Sequence, residues 1–152
     1  MFHSANPSLF GRGDGVLSTI YSLRASVVAL RRISLSLQGE MSQDYAAASS
    51  ALSDFSATLA TYFDAEEHGG YFAGIVDDCP EFQGRIHELE DTHEHLRATI
   101  ASARHMADRG ERSEMPALGR DIDSILEQLE RHERTENELI QDFFLSDGGS
   151  GE

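Results

Sequence analysis

Four ionisable side chains, two imidazoles and two carboxylates, lie where the helical period calls for apolar residues. His93 falls between Leu89 and Leu96, and His132 falls three residues after Leu129, each on the stripe that the leucines define. Steps of three and four residues bring side chains to one face of a helix, so these imidazoles point where the leucines point. A polar group in a protein core is costly unless it is hydrogen-bonded, paired or bound to a metal.

The two carboxylates each follow a ring side chain by one helical turn. Glu136 lies four residues after His132, and Glu66 lies four residues after Tyr62. Each pair therefore presents a ring and a carboxylate on one face of its helix. The repeated spacing predicts that the two pairs form facing halves of one site.

Imidazole and carboxylate are donors that suit iron, manganese and zinc. We therefore predict that Glu66, His93, His132 and Glu136 converge on a metal ion, with Tyr62 as a further candidate ligand. A hydrogen-bonded core quartet without metal is the alternative. The coincidence of two histidines and two glutamates favours the metal.

The elements that must position these residues are long helices. The apolar period predicts an all-α protein, an antiparallel up-down-up-down four-helix bundle, because long helices with short connections pack in this way. The predicted helices cover residues 14–38, 42–76, 81–109 and 113–145, inside a bundle of residues 14–145 with a flexible tail at 1–13 and a disordered tail at 146–152.

The predicted arrangement depends on where the second helix ends. We expect it to continue through Gly69 and Gly70, because the residues after them stay apolar, and a break there is the alternative. Counting along antiparallel helices at ~1.5 Å per residue places His93 level with His132, and Glu66 within about a turn of them. An end at His68 would leave Glu66 several turns away.

The composition of the chain argues against two classes of binding partner. Asp and Glu outnumber Lys and Arg by 27 to 12, which gives a net charge of −15. Such a surface repels nucleic acid and anionic membranes, so neither is an expected partner. The chain shows neither a signal peptide nor a long apolar run, and we predict a cytoplasmic protein. The single cysteine, Cys79, is expected to be an inert loop residue.

Three motifs together resemble the hemerythrin-like, or HHE cation-binding, family. His132-Glu-Arg-Thr-Glu136 is similar to the His-x-x-x-Glu of that family's last helix. Tyr62-Phe-Asp-Ala-Glu66 is similar to its second-helix motif, and His93-Glu-His-Leu to its third-helix motif. The resemblance covers about residues 15–145. It implies a non-haem iron site, often with two irons, that binds oxygen reversibly or senses oxygen, nitric oxide or iron. The implied ligands are Glu66, His93, His132 and Glu136.

The chain departs from the family pattern in the half of the site that the first two helices supply. Tyr62 stands in place of a second-helix histidine, and Arg97 in place of a second histidine on the third helix. The first helix has no histidine, and Tyr21 is its nearest ring ligand. Three readings remain: one metal ion bound by two His and two Glu, a ferric ion bound by the phenolate of Tyr62 with or without Tyr21, or a domain that has lost its metal. We favour the first.

The expected function is metal binding, with one iron ion rather than two, and the expected partners are the metal and a diatomic gas such as oxygen or nitric oxide. We expect no enzymatic activity. A metal-free interaction module that pairs with another protein is the alternative. Four other histidines fall off the apolar stripes and are expected to face solvent: His68, His87, His95 and His105. Glu90-x-x-His93 also fits a ferritin-like motif, but the last helix holds no second copy.

Overall fold

The structure, a computed structural model, describes residues 13–38 and 45–150, with side chains described for 21–38 and 46–146. Within these residues it contains helices and no strand. The predicted N-terminal tail lies, except for Gly13, outside the described residues. The helices are α1 (Gly13–Gln38), α2 (Tyr45–His68), α3 (Tyr71–Asp78), α4 (Gln83–Arg109) and α5 (Met115–Ser150), with short 3-10 turns at Pro80–Phe82 and Arg112–Glu114.

Four of these helices form a bundle. Helices α1, α2, α4 and α5 pack side by side in chain order, and α5 closes the ring against α1. The start of α2 meets the end of α4 where Ser49 donates a hydrogen bond to Asp108, and the start of α4 meets the end of α5 where Arg85 donates to Asp142. Such contacts require antiparallel neighbours, so the predicted all-α four-helix bundle is confirmed.

The bundle forms because each long helix carries an apolar stripe that turns inward. Burying a large aliphatic or aromatic side chain contributes about 1.5–3 kcal/mol, so a stripe of such residues stabilises the pairing of helices far more than helix propensity does. The fully buried side chains include Leu23 and Leu30 of α1, Leu52, Phe55 and Leu59 of α2, Leu89 and Leu96 of α4, and Leu118, Ile122 and Ile125 of α5.

The register of α1 against α5 is fixed at one end by a close approach. A Cβ atom at Gly119 would lie 2.7 Å from Cγ of Gln38 and 3.1 Å from the backbone oxygen of Ser34. The buried hydroxyl of Ser34 donates to the carbonyl of Gly119 at 3.0 Å. Farther along, Arg31 lies 4.0 Å from Glu130. This end of the pair therefore tolerates only glycine without a shift.

The predicted continuous second helix is wrong. It ends at His68, and α3 starts at Tyr71 after a turn in which Gly70 has φ of 92°. This left-handed conformation suits glycine and interrupts the helical hydrogen-bond ladder. Glu66 nevertheless stays level with His93, so the expected loss of Glu66 is also wrong. The chain then reaches the start of α4 through the eight residues of α3. This stretch was predicted to be the last part of the second helix.

The last helix ends later than predicted. Helix α5 continues through Ser150, five residues beyond the predicted end at Leu145, so the predicted tail boundary at 146 is not the end of the helix. Cys79 lies in the connection between α3 and the Pro80–Phe82 turn, as predicted, but it is buried. Among the described helices, none combines the length and apolar character needed to cross a membrane.

Candidate metal centre

Three of the predicted ligands meet in the interior. Nε2 of His93 lies 3.1 Å from Oε1 of Glu66 and 3.1 Å from Nε2 of His132. Nε2 of His132 lies 4.0 Å from the same Glu66 oxygen. One ligand atom from each of these residues lies within 4.8 Å of the others, and all three side chains are buried. Glu66, His93 and His132 therefore form a group that could hold one metal ion.

The other two predicted residues border this group. Oε2 of Glu136 lies 3.5 Å from Nε2 of His132, which places the carboxylate beside the three ligands. Tyr62 donates a long hydrogen bond of 3.4 Å from its hydroxyl to Oε1 of Glu136. Both side chains are buried. The structure thus brings all five predicted residues into one cluster, with Tyr62 attached through Glu136.

The local sequence explains this convergence. On α2 and on α5 a ring and a carboxylate are separated by four residues, so both point to the same side of the helix. His93 lies at the middle of α4, on the stripe that packs between α2 and α5. Three neighbouring helices therefore deliver their polar residues at one height of the bundle.

Several polar atoms of the cluster are left without a hydrogen bond from the described residues. They are both carboxylate oxygens of Glu66, Oε2 of Glu136 and Nδ1 of His132. Buried polar atoms are almost always hydrogen-bonded, and an orphaned carboxylate oxygen is especially costly. Glu66 and Glu136 are close enough to share a proton in the metal-free protein, which would satisfy part of this need. A cation bound by nitrogen and oxygen donors would satisfy the carboxylates and use the imidazole lone pairs as well, so the residues present fit a metal ion.

The electrostatics of the cluster favour the same conclusion. Burial lowers the pKa of His93 and of His132 to about 4, so both imidazoles are neutral at pH 7 and can offer a lone pair. Burial raises the pKa of Glu66 to about 7. Burial and the nearby charge of Glu66 raise the pKa of Glu136 well above its usual range. A bound cation would reverse these upward shifts, because it favours the ionised carboxylates.

The residues that hold His93 in place were not predicted in that role. Oε2 of Glu67 lies 2.6 Å from Nδ1 of His93 and also accepts a hydrogen bond of 2.9 Å from Arg97. Partial burial alone would raise the pKa of Glu67, but the hydrogen bonds from His93 and Arg97 lower it. An ionised carboxylate on Nδ1 fixes the proton there and leaves the Nε2 lone pair directed at the cluster. Arg97 thus anchors this carboxylate.

Aromatic rings pack directly on the cluster. The ring of Phe63 stacks on the imidazole of His93 with centroids 3.7 Å apart, and Phe72 of α3 lies against the same imidazole at 5.9 Å. Burial, followed by the charges of Glu136 and Glu66, raises the pKa of Tyr62 well above its usual value, so its phenol is neutral in the metal-free protein. These rings keep water away from the ligands and restrict the motion of His93.

The remaining candidates fall outside the cluster. Tyr21 is 64% exposed, so the expectation that it could join Tyr62 as a ligand is wrong; on the wheel it points away from the stripe of Leu23. The four histidines predicted to face solvent do so. A third buried glutamate, Glu133, was missed, although it follows Leu129 by four residues and so lies on the apolar stripe.

The fold and the cluster define a class of protein: a four-helix bundle with a buried histidine and carboxylate group suited to a cation. A family model described as the Hemerythrin HHE cation binding domain matches residues 24–144. The chain therefore belongs to the hemerythrin HHE cation-binding family, as its motifs had predicted. Searches of curated proteins and of solved structures found no significant match.

Proposed function

We propose that this protein binds one iron ion through Glu66, His93, His132 and Glu136, and that it binds or senses a diatomic gas or the metal itself. The observation that carries the proposal is the buried cluster, in which two neutral imidazoles face carboxylate oxygens that have no other partner. Iron is favoured over softer alternatives because the donors are imidazole and carboxylate, without thiolate. The cytoplasmic setting predicted from the sequence would keep iron ferrous.

One ion is proposed rather than two because the described residues form one group of ligands. Glu66, His93 and His132 lie together within one ligand sphere. The neighbouring interior surface is formed by Tyr62, Phe63 and the aliphatic side chains of α1. Tyr62 is a further possible donor beside the cluster, and its hydroxyl contacts Glu136.

Binding is proposed rather than turnover because of the surroundings of the cluster. Bound ferrous iron would offer an open coordination position to a small ligand. The rings of Phe63 and Phe72 pack directly on His93, which favours a ligand as small as oxygen or nitric oxide over a larger substrate. A groove of about 570 Å³ between α4 and α5 reaches the outer side of His132 and provides a path from solvent.

Elemental analysis tests the proposal. Protein purified without chelator, then treated with ferrous iron under anaerobic conditions and desalted, should hold about one iron per chain. The His132→Ala variant should hold none, whereas His105→Ala, which removes an exposed histidine from α4, should match the wild type. Nitric oxide should then change the absorption spectrum of the iron-loaded wild type. Protein that stays free of iron, with a melting temperature that iron does not change, would refute the proposal.

A metal-free interaction module is the second candidate, and the surface of α1 favours it. Tyr21, Val28 and Leu35 are exposed at intervals of seven residues, which places them in one line along the helix. Helix α1 also carries three arginines against one aspartate in an otherwise acidic chain. A partner with an apolar stripe and acidic flanks would complement this face. Protein that fails the iron test above, while remaining folded, would support this candidate.

A further inference from the structure

The two histidines of the cluster differ in what holds their outer nitrogen. Nδ1 of His93 bonds to Glu67 at 2.6 Å. Nδ1 of His132 is buried and has no hydrogen-bond partner among the described residues. Nε2 of His132 faces Glu66 and His93, so a metal would take its lone pair there and the proton would reside on Nδ1. A metal-bound imidazole nearly always donates its other N–H to an acceptor, which orients the ring.

An acceptor without a partner lies one turn earlier on the same helix. Oε1 of Gln128 is also buried and without a hydrogen-bond partner among the described residues. Its amide is held at the other end, where Nε2 donates to Oγ of Ser124 at 3.2 Å. A spacing of four residues places Gln128 beside His132 on the surface of α5. Both residues line the groove between α4 and α5.

The other hydroxyl groups of this groove are already engaged. Thr92 donates to the carbonyl of Glu88, and Thr135 donates to the carbonyl of Arg131, each within its own helix. The groove also has room for water, and a buried water needs two or more polar partners, which Nδ1 and Oε1 would supply. Two unsatisfied atoms of opposite character thus line one groove.

We propose that Gln128 is the positioning residue for His132: its carbonyl oxygen holds one water in the groove, and that water accepts a hydrogen bond from Nδ1–H. The bond holds the imidazole in the tautomer that directs the Nε2 lone pair at the metal. Gln128 therefore does for His132 what Glu67 does for His93, with a neutral acceptor in place of an ionised one. This inference rests on the proposed function, since it assigns the support of one metal ligand.

Metal affinity measured for three variants tests the assignment. Gln128→Met keeps the length of the side chain and removes the acceptor, Gln128→Glu keeps an acceptor, and Thr92→Val alters the same groove without touching the bond. Zinc and ferrous iron are titrated against a competing chelator. We expect Gln128→Met to weaken binding about 10- to 100-fold, as loss of an outer partner does elsewhere. Gln128→Glu should stay within about threefold of the wild type, and Thr92→Val within about twofold.

Two further readouts separate positioning from a structural effect. The melting temperatures of the metal-free variants should agree with the wild type. In the zinc-loaded, nitrogen-15-labelled wild type, the Nδ1–H proton of His132 should exchange slowly with water, and in Gln128→Met that signal should be lost. Gln128→Met protein that binds zinc as tightly as the wild type, with the same proton signal, would overturn the inference. Weakening that Gln128→Glu does not rescue would overturn it too. A wild type that binds neither metal would refute the proposed function, and this inference with it.

Discussion

At the height of the cluster, the half of the interior built by α4 and α5 differs from the half built by α1 and α2. Helices α4 and α5 supply His93, His132 and Glu136, whereas α2 supplies Glu66 beside two aromatic rings. Helix α1 supplies the aliphatic residues Leu23 and Val27, among those of its side chains that the structure describes. Its register is set by the contacts of Arg31 with Glu130 and of Ser34 with Gly119, so the turn of Leu23 and Val27 lies opposite the turn of His132 and Glu136.

This difference shows what a polar and an apolar half of one interior each require. A buried carboxylate is tolerated only beside groups that stabilise its charge. The aliphatic side chains of α1, by contrast, pack well in the interior and require no polar partner. Under the proposed function, a cation satisfies the carboxylates of the polar half. The comparison therefore predicts that substitutions in the cluster change metal affinity, whereas substitutions among the buried aliphatic residues of α1 change fold stability.

The largest effect should come from removing a ligand. We expect His93→Ala to lower iron affinity by more than about 100-fold, because losing an outer partner alone costs about 10- to 100-fold. In the opposite half, Val27→Ala should lower the free energy of unfolding by about 1–3 kcal/mol and leave the affinity unchanged. Chelator competition and urea unfolding measure the two quantities. Equal losses of affinity in both variants would show that the two halves are not distinct.

Glu66→Gln should have opposite effects on the metal-free and metal-loaded protein. The pKa of Glu66 is raised from 4.5 to about 7, so its protonated form stabilises the fold at low pH and that contribution is lost as the pH rises to about 7. Glutamine carries no such dependence. The metal-free variant should match the wild type near pH 4.5 and exceed it by up to about 3 kcal/mol above pH 7. Iron affinity should fall. Urea unfolding of chelator-treated protein at several pH values gives the test, and a constant difference would contradict it.

Glu67→Leu should act on His93 from outside the cluster. It removes the carboxylate that fixes the proton on Nδ1 and leaves Arg97 without its partner at 2.9 Å. We expect iron affinity to fall about 10- to 100-fold. Glu94→Leu, which replaces an exposed glutamate on α4, is the matched control and should leave it unchanged. An unchanged affinity in Glu67→Leu would mean that Phe63 and Phe72 alone hold the imidazole.

The fold and the cluster were predictable because both depend on the helical period. His93 and His132 are polar residues on aliphatic stripes, and their distances in sequence from the helix ends place them at one height of the bundle. Glu133 obeys the same period and could have been found in the same way. Tyr21 could have been excluded, since the stripe of α1 points to the other side of the helix.

The rest depends on contacts between helices, which the period does not report. The sequence does not show that Glu67 bonds to His93 and to Arg97, because these contacts exist only once α2 and α4 pack together. The break at Gly70 was only the alternative prediction, because the residues after it stay apolar, and the left-handed turn that glycine adopts there became visible only in the structure. Gln128 is likewise recognisable only beside an imidazole nitrogen that lacks a partner.

The smallest effect should come from Tyr62, which joins the two halves. Its hydroxyl reaches Glu136 at 3.4 Å, and a neutral hydrogen bond of this kind contributes about 0.5–1.5 kcal/mol. Tyr62→Phe should therefore lower stability by about 0.5–1.5 kcal/mol and leave ferrous iron stoichiometry unchanged. A visible absorption band of the ferric protein that vanishes in Tyr62→Phe would instead make the phenolate a ligand. Tyr62→His introduces the histidine that the resemblance implies at this position, and a gain in iron content there would show that the α1–α2 half has room for a ligand.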